Sequence, residues 1–138
     1  MQRSILISAF IPILVLLFQH CRHEPEAPLV TGIPCHPDTV YFERDLMPLL
    51  NSSCAKAGCH DIESAMDGVI LDSYANVMAT GDVKPGNPDG SDLYEVLVED
   101  KPEKRMPPPP LPALDNDQIA MIRKWILHGA QNLTCDDE

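Results

Sequence analysis

The sequence predicts an all-α domain of about four short helices joined by long loops. Four segments read as helices from their apolar spacing or their caps, and no alternating strand pattern runs longer than a few residues. Between Tyr41 and Ser53, Phe42, Leu46, Leu49 and Leu50 recur at helical spacing with Pro48 among them. A proline at that point removes a backbone donor, so two helical pieces are expected, the second opened by Pro48. "LDSYANVMATG" reads as a short helix capped by Asp72 or Ser73 and stopped near Gly81. "KPGNPDG" is turn chemistry, after which Ser91 caps "DLYEVLVED". The last helix starts on a capping-box pair, Asp115 and Gln118, turns Ile119, Ile122 and Ile126 to one side, and ends at Gly129. Trp125 is expected in the core.

Composition limits what this framework can hold. A chain of 138 residues with one Trp, three Tyr, three Phe and fourteen Pro has room for one small domain with a thin core of its own. A net charge of −11 argues against nucleic acid as a partner, because phosphate binding relies on Lys and Arg to release counterions. Such a charge is equally that of a plain solvated surface or of a surface that meets a basic partner.

Three regions follow from the chain's organisation. Residues 1–20 read as an export signal, with Arg3 ahead of an apolar run from Ile5 to Phe18 that is too short for a comfortable membrane span of about 20 residues. Cys21 directly follows, in the manner of a bacterial lipoprotein signal whose cysteine becomes the lipidated first residue, although His20 stands where a small residue is usual. Residues 21–34, rich in Glu and Pro, read as a flexible tether, and 35–138 as the folded domain.

Export places the five cysteines in an oxidising compartment. With Cys21 carrying lipid, four remain: Cys54 and Cys59 lie close together, while Cys35 and Cys135 stand at opposite ends of the domain, where a disulfide would staple its termini. By the loop-entropy model a cross-link of that span contributes as much as ~4.7 kcal/mol.

"NSSCAKAGCHDIES" carries the chemistry. Two thiols with a histidine directly after the second fit covalent haem attachment, in which the thiols add to the vinyl groups and the histidine becomes the proximal iron ligand. The gap here is four residues instead of two, so the loop must bulge, which small Ala55, Ala57 and Gly58 permit, Gly58 by accepting positive φ. The same spacing also fits zinc, and a plain disulfide stays open. Downstream, Met106 in "KRMPPPPLP" offers a thioether for the position opposite His60, on a loop that consecutive prolines would stiffen in extended polyproline form. Met47, Met66, Met78 and Met121 compete for that position, although Met47 and Met121 read as helix-face residues. His36 follows Cys35 without a second thiol at attachment spacing, so a single haem is expected.

"DLMPLLNSSCAKAGCHD", "LDSYANVMATG", "VKPGNPDGSDLYEVL", "RMPPPP" and "LDNDQIAMIRKWILHGA", in that order, resemble the planctomycete-type cytochrome c domain, from Phe42 to Ala130. The resemblance implies a small cytochrome c-like fold around one covalently bound haem c. It implies by position that Cys54 and Cys59 attach the haem, that His60 is the proximal ligand and that Met106 is the distal one. The cysteine gap departs from the usual motif and bears on maturation by a standard haem-attachment system.

One-electron transfer at the cell envelope is the task such a site suits, since two axial ligands leave no open position for substrate. No nucleophile–base pair, paired-carboxylate motif or phosphate loop accompanies it, so no catalytic residue is assigned. The expected partners are a redox protein, with a basic docking patch as the complement of the acidic surface, and a membrane reached through the lipid anchor on its periplasmic or outer side. Two other readings stand beside this one. One is a haem-free exported binding module in which Cys54 and Cys59 form a disulfide or hold zinc. The other is a catalytic haem site with Met106 displaced.

Overall fold

The computed structural model describes residues 33–136. The segment expected to be an export signal, Cys21 and the part of the expected tether before Ile33 lie outside the described residues. Four α-helices are described and no strands: α1 (Met47–Ser53), α2 (Tyr74–Thr80), α3 (Asp92–Val98) and α4 (Asn116–Leu127), so the fold is all-α as expected. Among the described residues no helix is long and apolar enough to cross a membrane.

Pro48 acts as its chemistry requires. A π-helical turn, Phe42–Leu46, leads into α1, with Pro48 in the first turn of the new helix and the Met47 N–H donating to the Phe42 carbonyl. The pyrrolidine ring would crowd the carbonyl of Arg44 in a continuous α-helix, and the wider turn gives it room. Ser73, and not Asp72, caps α2: its hydroxyl accepts from the Asn76 N–H at 3.3 Å, whereas Asp72 accepts from the Asn76 side chain at 2.7 Å. The Asp115–Gln118 capping box at α4 is complete in both directions, at 2.8 and 2.9 Å.

Ser91 departs from the expected cap. It occupies the residue before α3, but its hydroxyl makes no capping bond to the helix. It is wholly buried and works on the preceding loop, accepting from the Lys84 N–H at 2.8 Å and donating to the Asn87 carbonyl at 2.8 Å. The buried hydroxyl is satisfied by these two backbone groups of the loop, which leaves it none for the helix start.

The core lies between the first turn, α1 and the three later helices. Phe42, Leu46, Leu50, Val77, Ile122 and Ile126 are the most deeply buried apolar side chains. Phe42 sits in an aromatic cluster, 5.1 Å from the Tyr74 ring and 5.2 Å from Trp125. Trp125, 2% exposed, is the core residue the sequence suggested, with its indole N–H donating to the Gln131 carbonyl at 2.9 Å. The Tyr74 hydroxyl donates to the Ala130 carbonyl at 2.9 Å. Both aromatic rings therefore bury their faces while their polar ends hold the chain leaving α4.

That chain returns to the start of the domain. Cys35 and Cys135 form the expected disulfide, the Asp136 N–H donates to the Ile33 carbonyl at 3.0 Å, and Pro34 and Asp136 form an isolated bridge. The bond closes a loop with a sequence separation of 100. Cys135→Ser should therefore lower the denaturant midpoint of non-reduced protein by the equivalent of about 2–5 kcal/mol. An unchanged midpoint would show that the pairing at Ile33, Pro34 and Asp136 suffices by itself.

Candidate functional site

The end of α1 and the loop after it are wound by backbone bonds that shape the cysteine motif. The Cys54 and Ala55 N–H groups both donate to the Leu50 carbonyl, at 2.7 and 2.8 Å, so the helix widens and stops. The Cys59 N–H returns to Lys56 at 2.9 Å and the His60 N–H to the Cys54 carbonyl at 3.2 Å. The loop is thereby folded into one bulge that brings the Cys54 backbone carbonyl back to the backbone of His60. Gly58 takes φ +83°, as the small residues in the gap foretold, and its N–H is held by the Ser64 hydroxyl at 2.7 Å. No heavy atom stands within 4 Å of where a Cβ would be, so an alanine there would meet backbone strain and no clash.

His60 has its ring fixed from outside the motif. Its Nδ1 lies 3.2 Å from the Val69 carbonyl, and a carbonyl only accepts, so Nδ1 carries the proton and Nε2 keeps the free lone pair. The segment that supplies this carbonyl is itself locked. The Leu71 N–H donates to the His60 carbonyl at 2.8 Å, and the Thr80 hydroxyl on α2 accepts from the Ile70 N–H at 2.9 Å. Thr80 also stands within donating distance of the Ile70 and Asn76 carbonyls.

Met106 enters from the other half of the domain. Its N–H donates to the Val96 carbonyl of α3 at 2.8 Å, and the Lys104 and Arg105 N–H groups turn back to Lys101. The prolines that follow do not run on as an extended polyproline stretch: the Leu111 N–H closes a turn on the Pro108 carbonyl at 3.0 Å, and the Met106–Pro107 and Pro109–Pro110 bonds are cis. Pro107 is buried, so the loop is held by packing and a turn rather than by polyproline stiffness.

These pieces meet around one cavity of about 390 Å³, within the range of small-molecule and cofactor pockets. Cys54, Cys59, His60 and Met106 all line it, with Val69, Leu71, Leu93, Val96, Leu97 and Leu111 supplying apolar wall. Met66 lines it too, half exposed, in the same loop that bears Val69. Met47 is buried in the core, and Met78 and Met121 pack against the core without reaching this cavity, which removes three of the four competitors.

Cys54 and Cys59 are both free thiols, not a disulfide. Burial pushes the Cys54 thiol up from 9.0 to about 11, the nearby Cys59 adding to the rise and Lys56 opposing it. At neutral pH the surroundings thus stabilise the neutral S–H over the thiolate. Among the described residues no three His, Cys, Asp or Glu side chains converge as a metal-holding group. Two thiols, an imidazole with one free nitrogen and a thioether on the wall of an apolar cavity are the donor set of an attached haem, and the residues fit that group.

Residues 57–110 match the family model of planctomycete cytochrome C. The match includes Cys59, His60 and Met106, while Cys54, α1 and α4 lie beyond it. No curated protein and no solved structure matches the chain. Within the cytochrome C match lie two features that carry no sequence signal. One is the Val69 carbonyl. The other is Arg105, whose Nε is buried and is the only buried side-chain nitrogen or oxygen without a hydrogen-bond partner among the described residues. Leaving such a donor unpaired costs about 1–3 kcal/mol.

Gly58→Ala tests the bulge. Holding alanine at positive φ should lower stability by about 1–2 kcal/mol, read as a drop in the denaturant midpoint. A neutral or stabilising result would mean that the loop does not keep this conformation in solution.

Proposed function

We propose that this protein is an exported monohaem c-type cytochrome that transfers single electrons at the cell envelope, anchored through lipid on Cys21. The observation that carries the reading is the convergence of Cys54, Cys59, His60 and Met106 on one apolar cavity. The cytochrome C match supports it independently. A bound haem supplies reversible exchange between ferrous and ferric iron.

The chain's own residues do the rest. Cys54 and Cys59 would hold a haem through thioether bonds, each thiol adding across a vinyl group with sulfur on one carbon and hydrogen on the other, so attachment would consume no oxidant. His60 would hold the iron through Nε2, its ring kept in the tautomer that leaves this nitrogen available by the Val69 carbonyl. Met106 would offer the iron a soft sulfur, which would favour the reduced state, and its anchorage on α3 sets it apart from Met66, which shares a loop with the His60 partner. The apolar walls exclude water and supplement a small core. The disulfide fits an oxidising compartment, and the acidic surface suits a redox protein with a basic docking patch.

Replacing Cys54 and Cys59 together with Ala should abolish covalent haem staining of exported protein, whereas wild type should show a haem-bearing mass and a Soret band. A wild type that instead carries zinc or has lost two protons to a disulfide would establish the haem-free reading.

Met106→Ala should leave covalent haem in place and remove the weak sulfur-to-iron charge-transfer band. The variant should have a lower potential and bind small ligands that wild type excludes. Retention of the band and a low-spin spectrum would assign the sixth position to Met66, the remaining methionine on the cavity.

A further inference from the structure

The gap between the two thiols of the cysteine motif contains a residue that nothing packs against. Gly58 lines the cavity, is exposed, and has no heavy atom within 4 Å of where a Cβ would stand. A glycine takes either sign of φ at little cost, so packing gives this loop no reason to hold φ +83° there. Each alternative would aim the next residue, Cys59, differently. The two residues added to the usual motif bring about four more soft dihedrals between the sulfurs.

One side chain supplies the restraint. The Ser64 hydroxyl accepts from the Gly58 N–H at 2.7 Å, and among the described residues no other side chain hydrogen-bonds the gap from Ala55 to Gly58. Ser64 is itself tied back to the motif. Its N–H donates to an Asp61 carboxylate oxygen at 3.1 Å, the Ala65 N–H to the Asp61 carbonyl at 2.9 Å, and the Met66 N–H to the Cys59 carbonyl at 2.9 Å. The turn that follows His60 therefore folds back and fixes the Ala57–Gly58 peptide plane, which selects one of the conformations open to the glycine.

We infer that Ser64 is a positioning residue for two-point attachment: by holding Gly58 it keeps both thiols of the over-long gap on the cavity wall, at a separation that one rigid group can bridge. The inference rests on the haem reading above. A thiol that misses its vinyl group stays S–H and leaves that double bond intact, so incomplete attachment is counted in free thiols. Loss of one such hydrogen bond should shift the loop's preference by about two- to tenfold.

The test compares exported wild type with Ser64→Ala and Ser64→Thr, the exposed position leaving room for the extra methyl group. Alkylatable thiols are counted by mass on intact haem-bearing protein, and the α band of the pyridine haemochrome is read alongside. Haem in wild type should be almost all doubly attached. Ser64→Ala should raise the ratio of singly to doubly attached haem by about two- to tenfold, with one free thiol per singly attached haem and an α band moved to the red by the retained vinyl group. Ser64→Thr, which keeps the hydroxyl, should return the ratio to that of wild type. A role in folding alone would lower the melting temperature of Ser64→Ala and leave the ratio unchanged, which would overturn the inference while the proposed function stands. Should Ser64→Ala load no haem, Ser64→Thr decides, double attachment supporting the inference and its loss counting against it. Wild type without haem would overturn the proposed function and this inference with it.

Discussion

The packing of Phe42 against Tyr74 and Trp125 joins three segments that the sequence keeps far apart: the turn before α1, the helix α2 and the last helix α4. Each such ring pair contributes about 0.5–1.5 kcal/mol beyond its burial, but the larger effect is positional. With these rings in place, α1 ends beside the start of the cysteine loop, α2 presents Thr80 to the segment that holds His60, and the chain after α4 is led back to Cys35. The core and the cavity thus divide the molecule. The core is built largely from the two ends of the domain and the cavity largely from its middle.

This division explains why the family match and the folding unit differ in extent. Residues 57–110 contain most of the cavity wall, but Phe42, Leu46, Leu50, Trp125 and Ile126 lie outside them. The matched stretch by itself would carry Cys59, His60 and Met106, but neither Cys54 nor the apolar side chains of the two ends that complete the core.

Local rules were legible where one residue decides one bond. Pro48 had to start a helix, Asp115 and Gln118 had to close a box, Gly58 had to take positive φ in an over-long loop, and counting thiols paired Cys35 with Cys135. Reading failed where tertiary context chose among equally local options. Ser91 could cap α3 or bind the loop behind it, and its buried hydroxyl bonds the loop. The proline run could extend or turn, and packing of Pro107 with the bond from Leu111 to Pro108 turned it. The Val69 carbonyl and the orphaned Arg105 Nε were beyond sequence reasoning, because a backbone acceptor has no letter of its own and burial of one nitrogen depends on everything around it.

The fixing of His60 through a backbone oxygen has a genetic side. Residue 69 may be exchanged for other side chains without removing the carbonyl, so no single codon deletes the partner of Nδ1. An uncharged carbonyl also draws less on that proton than a carboxylate would, which keeps the imidazole a moderate donor. What mutation can do is move the strand of chain that bears the oxygen. Vulnerability is thereby transferred from the histidine's direct contact to Thr80, a residue one helix away whose hydroxyl pins Ile70. A change at Thr80 would therefore shift the backbone that orients the imidazole, from a residue that shares the cavity wall with His60 but makes no hydrogen bond to either ring nitrogen.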